Sequence, residues 1–75
     1  MDERLIRIRI MDLGCVAEGI ELERNLVRTL GVLGATVNPA TETAYISYDG
    51  FRTSADRLRA AIVAAGFRAA DPVAS

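Results

Sequence analysis

One cysteine and one glutamate are the residues in this chain whose types and spacing could do chemistry. Cys15 is the only cysteine, and it lies in the segment Leu13–Glu18, directly after an alternating strand and at the predicted start of a helix. Residues three apart on a helix face the same side, so the Glu18 carboxylate can reach a cation held by the Cys15 sulfur. The unpaired N–H groups and partial positive charge of a helix start stabilise an anionic sulfur. Together the two side chains form half of a site for a soft or borderline metal ion.

The segments on either side of Cys15 predict the strand and the helix that position it. Residues 5–10 alternate strictly, which is typical of a strand with one buried face. Ile6, Ile8 and Ile10 are predicted to lie on the buried face, and Arg7 and Arg9 on the solvent-exposed face. Residues 16–30 contain no proline and predict an amphipathic helix, in which Gly19 weakens the first turn by roughly 1 kcal/mol relative to alanine. Its apolar face is predicted to consist of Leu22, Leu26 and Leu30, widened by Ile20 and Val27.

The rest of the chain predicts a hairpin, a second helix and a short last strand. Gly31 ends the first helix, and strands at 32–37 and 44–48 flank a turn at 38–43. Thr53 or Ser54 is predicted to cap the second helix, which Gly66 closes. The inner face of that helix is predicted to carry Leu58, Ile62 and Ala65. Residues 67–70 predict the final strand.

The order strand, helix, strand, strand, helix, strand defines an α+β fold class. With right-handed crossovers it gives a ferredoxin-like βαββαβ sandwich, a four-stranded antiparallel sheet with both helices on one face. We expect one domain over residues 1–70, because a chain of 75 residues buries only about 60% of its unfolded surface and cannot support two cores. Residues 71–75 are predicted to be a flexible tail or the start of a linker.

Composition and charge exclude several classes of function. The net charge is −1, there is no basic run and only four residues are aromatic, so no nucleic-acid partner is expected. No apolar stretch approaches the roughly 20 residues of a membrane span, and the N-terminus lacks the apolar core of a signal peptide. No membrane insertion and a cytoplasmic location are therefore expected. With no histidine, no nucleophile paired with a base and no phosphate-binding glycine loop, the chain is not expected to be an enzyme.

Several short segments resemble those of a known family. They are Gly31-Val32 after the first helix, residues 37–41 at the hairpin, Tyr48-Asp49 at the end of the third strand, and residues 65–67 before the last strand. In these segments the chain is similar, from about residue 8 to residue 70, to the heavy-metal-associated domain. That domain occurs in copper chaperones, in mercury-binding proteins and in the N-terminal regions of P-type metal ATPases.

The resemblance implies a metal loop and a role for the chain. The loop of the family, usually Gly-Met-Thr-Cys-x-x-Cys, falls on residues 12–18, so Cys15 matches the first metal-binding cysteine and Glu18 replaces the second. Leu13 stands where a methionine usually packs under the loop, and Phe67 where the family often places an aromatic residue or lysine beside the metal. The resemblance implies a chaperone or an exporter N-terminal domain that passes a metal ion to a P-type metal-transporting ATPase or another metal-transfer protein.

The exchange of a second sulfur for a carboxylate oxygen affects which metal is expected. It moves the preference from linear two-thiolate Cu(I) towards Zn²⁺, with Cd²⁺, Pb²⁺ or Co²⁺ next. Some domains of this family attached to zinc, cadmium and lead exporters carry a similar Cys-x-x-Glu variant. Two ligands do not complete a tetrahedral site; Asp12 is the candidate third ligand and Glu21 a weaker one. Alternatively, two chains each donate Cys15 and Glu18 and form a metal-bridged homodimer.

A plainer interpretation exists for each of these residues. A lone cysteine at a helix start often packs as a small hydrophobic side chain, and Glu18 can serve only as a partner of the helix dipole or as part of a cap. Asp12 can be an ordinary loop residue. The second functional hypothesis is therefore a ferredoxin-like interaction domain whose metal loop no longer binds metal, with Arg7 and Arg9 on the open sheet face available to an acidic partner.

Overall fold

The structure, a computed structural model, describes residues 1–75 and confirms the ferredoxin-like sandwich. Its elements are β1 (Glu3–Met11), α1 (Val16–Val27), β2 (Val32–Asn38), β3 (Thr43–Asp49), α2 (Ala55–Ala64), β4 (Arg68–Ala69) and β5 (Val73–Ala74). The sheet order is β2-β3-β1-β4, all neighbours are antiparallel, and β5 pairs with a second stretch of β1. Neither helix has the combination of length and apolar character that a membrane-spanning segment requires.

The alternation in β1 determines which of its side chains face the core. Ile6, Ile8 and Ile10 are buried, whereas Arg7 and Arg9 are exposed on the open face of the sheet. The buried face packs against both helices in one cluster of twelve residues. The members of this cluster are Ile6, Ile8, Ile10, Leu22, Leu26, Val37, Ala44, Ile46, Tyr48, Leu58, Ile62 and Ala69. Because β1 is central and runs straight into the loop that carries Cys15, this core fixes one side of that loop.

The first helix is shorter than predicted. It ends at Val27, because the Thr29 N–H donates to Leu26 O in a tightened turn and the chain then passes through Gly31 at φ +87°. Leu30 therefore lies outside the helix and is 66% exposed, so its predicted place on the inner face is wrong.

The predicted apolar face of α1 is also too wide. Ile20 and Val27 are both 49% exposed, while the buried positions of the helix are Gly19, Leu22 and Leu26. At 100° per residue the two exposed side chains lie on a different stripe, well away from the line through Leu22 and Leu26. The helix is thus held by a narrow line of buried side chains.

The second helix begins at one of the two predicted caps, and the structure differs from the sequence expectation at two later places. Ser54 is the N-cap of α2, and its hydroxyl accepts a hydrogen bond from the Arg57 N–H at 3.3 Å. The helix ends at Ala64, so Ala65 is exposed rather than part of the inner face. The tail predicted at residues 71–75 is paired with the sheet in this structure: Val73 and Ala74 form β5, where backbone hydrogen bonds to β1 hold them in place.

Asp49 is the one buried charged residue, at the end of β3. Its carboxylate Oδ1 accepts hydrogen bonds from the Asp2 N–H at 3.1 Å and the Phe51 N–H at 3.0 Å. The bond from Asp2, followed by that from Phe51, lowers the pKa of Asp49 below its ordinary value. The charged carboxylate therefore ties the N-terminus and the loop after β3 to the end of the sheet.

This arrangement predicts an acid-sensitive contribution to stability. The pKa of Asp49 is lower in the folded than in the unfolded chain, so the stabilisation is present above the unfolded value of about 3.9 and is lost as the pH falls through the folded value. We expect Asp49→Asn to flatten the fall in unfolding free energy below about pH 4. Urea unfolding across pH 2 to 6, with the exposed Asp71→Asn as matched control, measures this. An unchanged acid dependence in Asp49→Asn would contradict the assignment.

Candidate metal centre

The loop between β1 and α1 is set by the backbone of two residues. Asp12 has a φ of 61°, in the left-handed region that aspartate tolerates better than most residues, and it turns the chain out of β1. Cys15 is extended, with φ −159° and ψ 169°, and is the N-cap of α1. The first helical turn therefore starts directly after the sulfur, as the sequence predicts.

The thiol of Cys15 is accessible. The residue is exposed, and its side chain makes no capping hydrogen bond to the helix. It does not pack as the buried small hydrophobic side chain that the plainer interpretation requires. The sulfur thus lies at the N-terminal end of a helix and is open to solvent.

Glu18 turns back towards the start of its own helix. It is the third helical residue, and its Oε1 accepts a hydrogen bond from the backbone N–H of Gly14 at 2.9 Å. The contact resembles a capping box, except that the carboxylate reaches the residue before the N-cap rather than the N-cap itself. Because Gly14 immediately precedes Cys15, the carboxylate contacts the loop at the residue next to the one that carries the thiol.

Asp12 makes a different contact. Its Oδ2 is 3.0 Å from Nη1 of Arg68, and both side chains are 75% exposed. The pairing of Met11 with Arg68 in the sheet brings this guanidinium beside Asp12. No three acidic or cysteine side chains, Glu21 among them, come together closely enough to hold a metal ion. The structure therefore does not assemble the three-ligand set within one chain that the sequence suggested with Asp12 or Glu21.

Leu13 anchors the loop to the apolar core. Leu13 and Phe67 are both half-buried and pack against the core cluster. Gly19 is buried, and a Cβ there would lie 3.4 Å from Val37 Cγ1 and 3.9 Å from Leu13 Cδ2. Both separations are ordinary van der Waals contacts, so the start of α1 lies against β2 and Leu13 with room for a small side chain.

Two residues of the site were not predicted from the sequence. Arg68, the partner of Asp12, is 56 residues away along the chain, and no local pattern relates the two. Gly14 contributes the N–H that Glu18 accepts, and a Cβ at Gly14 would lie 2.5 Å from Glu18 Oε1. A glycine directly before the only cysteine was the available signal for Gly14.

Several solved structures share this architecture. A copper binding domain from HMA7, a P-type ATPase, is 25% identical, with a TM-score of 0.88 and 95% of each chain covered. A structure described as "Crosstalk between Cu(I) and Zn(II) homeostasis" is 30% identical, with a TM-score of 0.82, and the match covers 89% of this chain and 96% of that one. Oxidized MerP from Ralstonia metallidurans CH34 is 22% identical, with a TM-score of 0.85 and coverage of 91% and 94%, and it supports the fold alone. No family model and no curated protein sequence matches the chain.

The fold and the loop define a small ferredoxin-like domain with an exposed cysteine between its first strand and first helix. Taken with the 30% identity over nearly the whole of a solved structure, they place the chain plainly: it belongs to the heavy-metal-associated domain family. The resemblance predicted from the sequence is confirmed.

Proposed function

We propose that this domain binds a divalent heavy-metal ion through Cys15 and Glu18 and passes it to a partner protein. The observation that carries the proposal is the exposed, uncapped Cys15, which directly follows Gly14, the residue whose N–H holds Oε1 of the Glu18 carboxylate. The copper binding domain of HMA7, which shares the fold, supports a metal ion as the cargo.

The donor chemistry favours zinc. One thiolate and one carboxylate form a borderline donor set, which suits Zn²⁺ first and Cd²⁺, Pb²⁺ or Co²⁺ next. Cu(I) prefers soft sulfur ligands, and one chain offers a single cysteine. Cu(I) is the alternative cargo, because the N-terminal domain of a potential copper-translocating P-type ATPase from Bacillus subtilis, which has the same fold, is described in a Cu(I)-loaded state.

The small number of ligands suits transfer. A zinc ion held by Cys15 and Glu18 has two of four tetrahedral positions left for water or for donors of another protein. A partner can therefore enter the coordination shell before the first ligands leave. We propose a P-type metal-transporting ATPase or another cytoplasmic metal-transfer protein as that partner; a second copy of this chain, giving a metal-bridged homodimer, is the alternative.

The proposal predicts saturable binding that depends on the Glu18 charge. Titration of the reduced protein with Zn²⁺, and with Cd²⁺ followed by thiolate absorption, is expected to give sub-micromolar affinity. Glu18→Gln is expected to weaken binding by at least about tenfold, since loss of a ligand costs no less than loss of an outer-shell partner. The amide oxygen of the substituted side chain can still accept the Gly14 N–H, so the loop is kept.

The matched control is Glu21→Gln, one turn further along the same helix at an exposed position. It is expected to bind like the wild type. Binding that is absent below millimolar ion, or equal in both variants and the wild type, would contradict the proposed function.

The bridged dimer and the monomeric carrier are distinguished by size-exclusion chromatography, run without zinc and with one equivalent of zinc for every two chains.

A second candidate function is supported by a specific observation. The Glu18 carboxylate already serves the helix start, and Asp12 already pairs with Arg68. A domain with its loop side chains satisfied internally fits the hypothesis of an interaction module that no longer binds metal. Exposed Arg7 and Arg9 on the open face of the sheet are then the surface for an acidic partner. Absence of metal binding in the titration above supports this candidate.

A further inference from the structure

The hydrogen bond between Gly14 and Glu18 depends on residue 14 in two ways: on a backbone N–H, which every residue except proline has, and on the absence of a Cβ, which is particular to glycine. The backbone N–H of Gly14 donates to Oε1 of Glu18 at 2.9 Å. A Cβ at residue 14 would lie only 2.5 Å from the same oxygen, a separation that real Cβ atoms do not adopt. Any side chain at position 14 therefore requires the carboxylate to move. The backbone of Gly14 is not in the left-handed region, so the constraint comes from space and not from conformation.

This contact leaves one carboxylate oxygen for an ion. Oε1 is engaged by a backbone donor, whereas no hydrogen bond is made by Oε2. Ligands of a metal ion are generally oriented by hydrogen bonds to their second polar atom, and removal of such a partner typically lowers metal affinity about 10- to 100-fold. The Gly14 N–H is placed to do this for Glu18 before any ion arrives, which lowers the entropy cost of ordering the side chain.

We propose that Gly14 is a positioning residue of the metal site: its N–H and its missing side chain together fix the Glu18 carboxylate as a ligand beside Cys15. The inference rests on the proposed function and deepens it. It also makes Gly14 a determinant of selectivity, because it acts only on the oxygen ligand. Ions that use the carboxylate, such as Zn²⁺, depend on Gly14, whereas an ion bound through sulfur alone does not.

The test is Gly14→Ala, measured against a matched substitution. Gly34→Ala is the control, because a Cβ at residue 34 meets nothing within 4 Å and its backbone is likewise outside the left-handed region. We expect Gly14→Ala to weaken Zn²⁺ binding by about tenfold, the lower end of the range for outer-shell partners, and Gly34→Ala to leave it unchanged. Thermal unfolding of both variants checks that each is folded.

A double-mutant cycle separates positioning from a general effect on the loop. If Gly14 acts through Glu18, then Gly14→Ala has no effect on zinc affinity in a Glu18→Ala background. A second readout needs no metal. In the metal-free protein, Glu18→Ala is expected to shift the Gly14 amide proton resonance upfield in a ¹H–¹⁵N spectrum, as loss of a hydrogen bond to a charged acceptor does.

Three outcomes overturn the inference. One is Gly14→Ala that binds zinc as tightly as the wild type; another is an effect that persists undiminished in the Glu18→Ala background. Tighter binding by Gly14→Ala would mean that the hydrogen bond competes with the ion. These results differ from failure of the proposed function, in which the wild type binds no ion and the assignment of Gly14 falls with it.

Discussion

Replacing Cys15 with serine is expected to weaken zinc and cadmium binding by more than about 100-fold. Loss of an outer-shell contact costs about 10- to 100-fold in affinity, and Cys15 is the only sulfur that the chain can supply as a direct thiolate ligand. A serine hydroxyl has nearly the same size but is a poor ligand for a borderline ion. The measurement is competition with a chromophoric chelator, together with the loss of thiolate absorption on cadmium addition.

The control for this prediction introduces a hydroxyl at the neighbouring residue and keeps the Cys15 sulfur. Val16→Ser changes the neighbouring residue, which is 61% exposed and outside the core, and it is expected to keep wild-type affinity. If Cys15→Ser bound zinc as well as the wild type, the ion would have to be held elsewhere, and the assignment of this corner as the metal centre would be wrong.

Leu26→Ala is expected to destabilise the domain by about 2–5 kcal/mol, the range for deletion of a buried leucine side chain. Leu26 is 1% exposed and lies in the core cluster between α1 and the sheet. A domain of 75 residues has a total stability of only about 4–11 kcal/mol, so this one substitution removes a large share of it. Urea unfolding followed by circular dichroism measures the change.

Leu30→Ala is the matched comparison for Leu26→Ala. The two leucines are four residues apart and carry the same side chain, but Leu30 is 66% exposed after the helix has ended. Its truncation is expected to change the free energy of unfolding by no more than about 0.5 kcal/mol. Equal losses in the two variants would mean that Leu30 is buried on a helix that continues past Val27, as spacing alone suggests.

The same pair of leucines illustrates what the sequence could predict of the fold. Strict alternation in residues 5–10 is a period that only a strand with one buried face satisfies, and the structure buries Ile6, Ile8 and Ile10 accordingly. Spacing four is less decisive, because it continues to Leu30 across the point where the Thr29 N–H bonds to Leu26 and the helix ends. Helix ends depend on local backbone bonds that side-chain periodicity does not describe.

Some features of the candidate site could likewise be predicted from the sequence, and others could not. The types and spacing of Cys15 and Glu18 are local properties, so the sequence could indicate a thiol and a carboxylate at the start of one helix. The direction of the Glu18 carboxylate depends on the backbone of Gly14, and the partner of Asp12 comes from β4, 56 residues away. Contacts of these two kinds arise only when the loop and the sheet are folded together.

The pairing of β5 with the start of β1 brings the two chain ends to one end of the sheet. Ser75 donates its N–H to Leu5 O, and Gly50 donates to Asp2 O, whereas Cys15 follows the opposite end of β1. At about 3.3 Å per residue, the six steps from Leu5 to Met11 separate these regions by roughly 20 Å. Fraying of either terminus, or a label attached there, is therefore expected to leave the cysteine corner undisturbed, and protein tethered to a surface by a terminus would keep that corner open to molecules in solution.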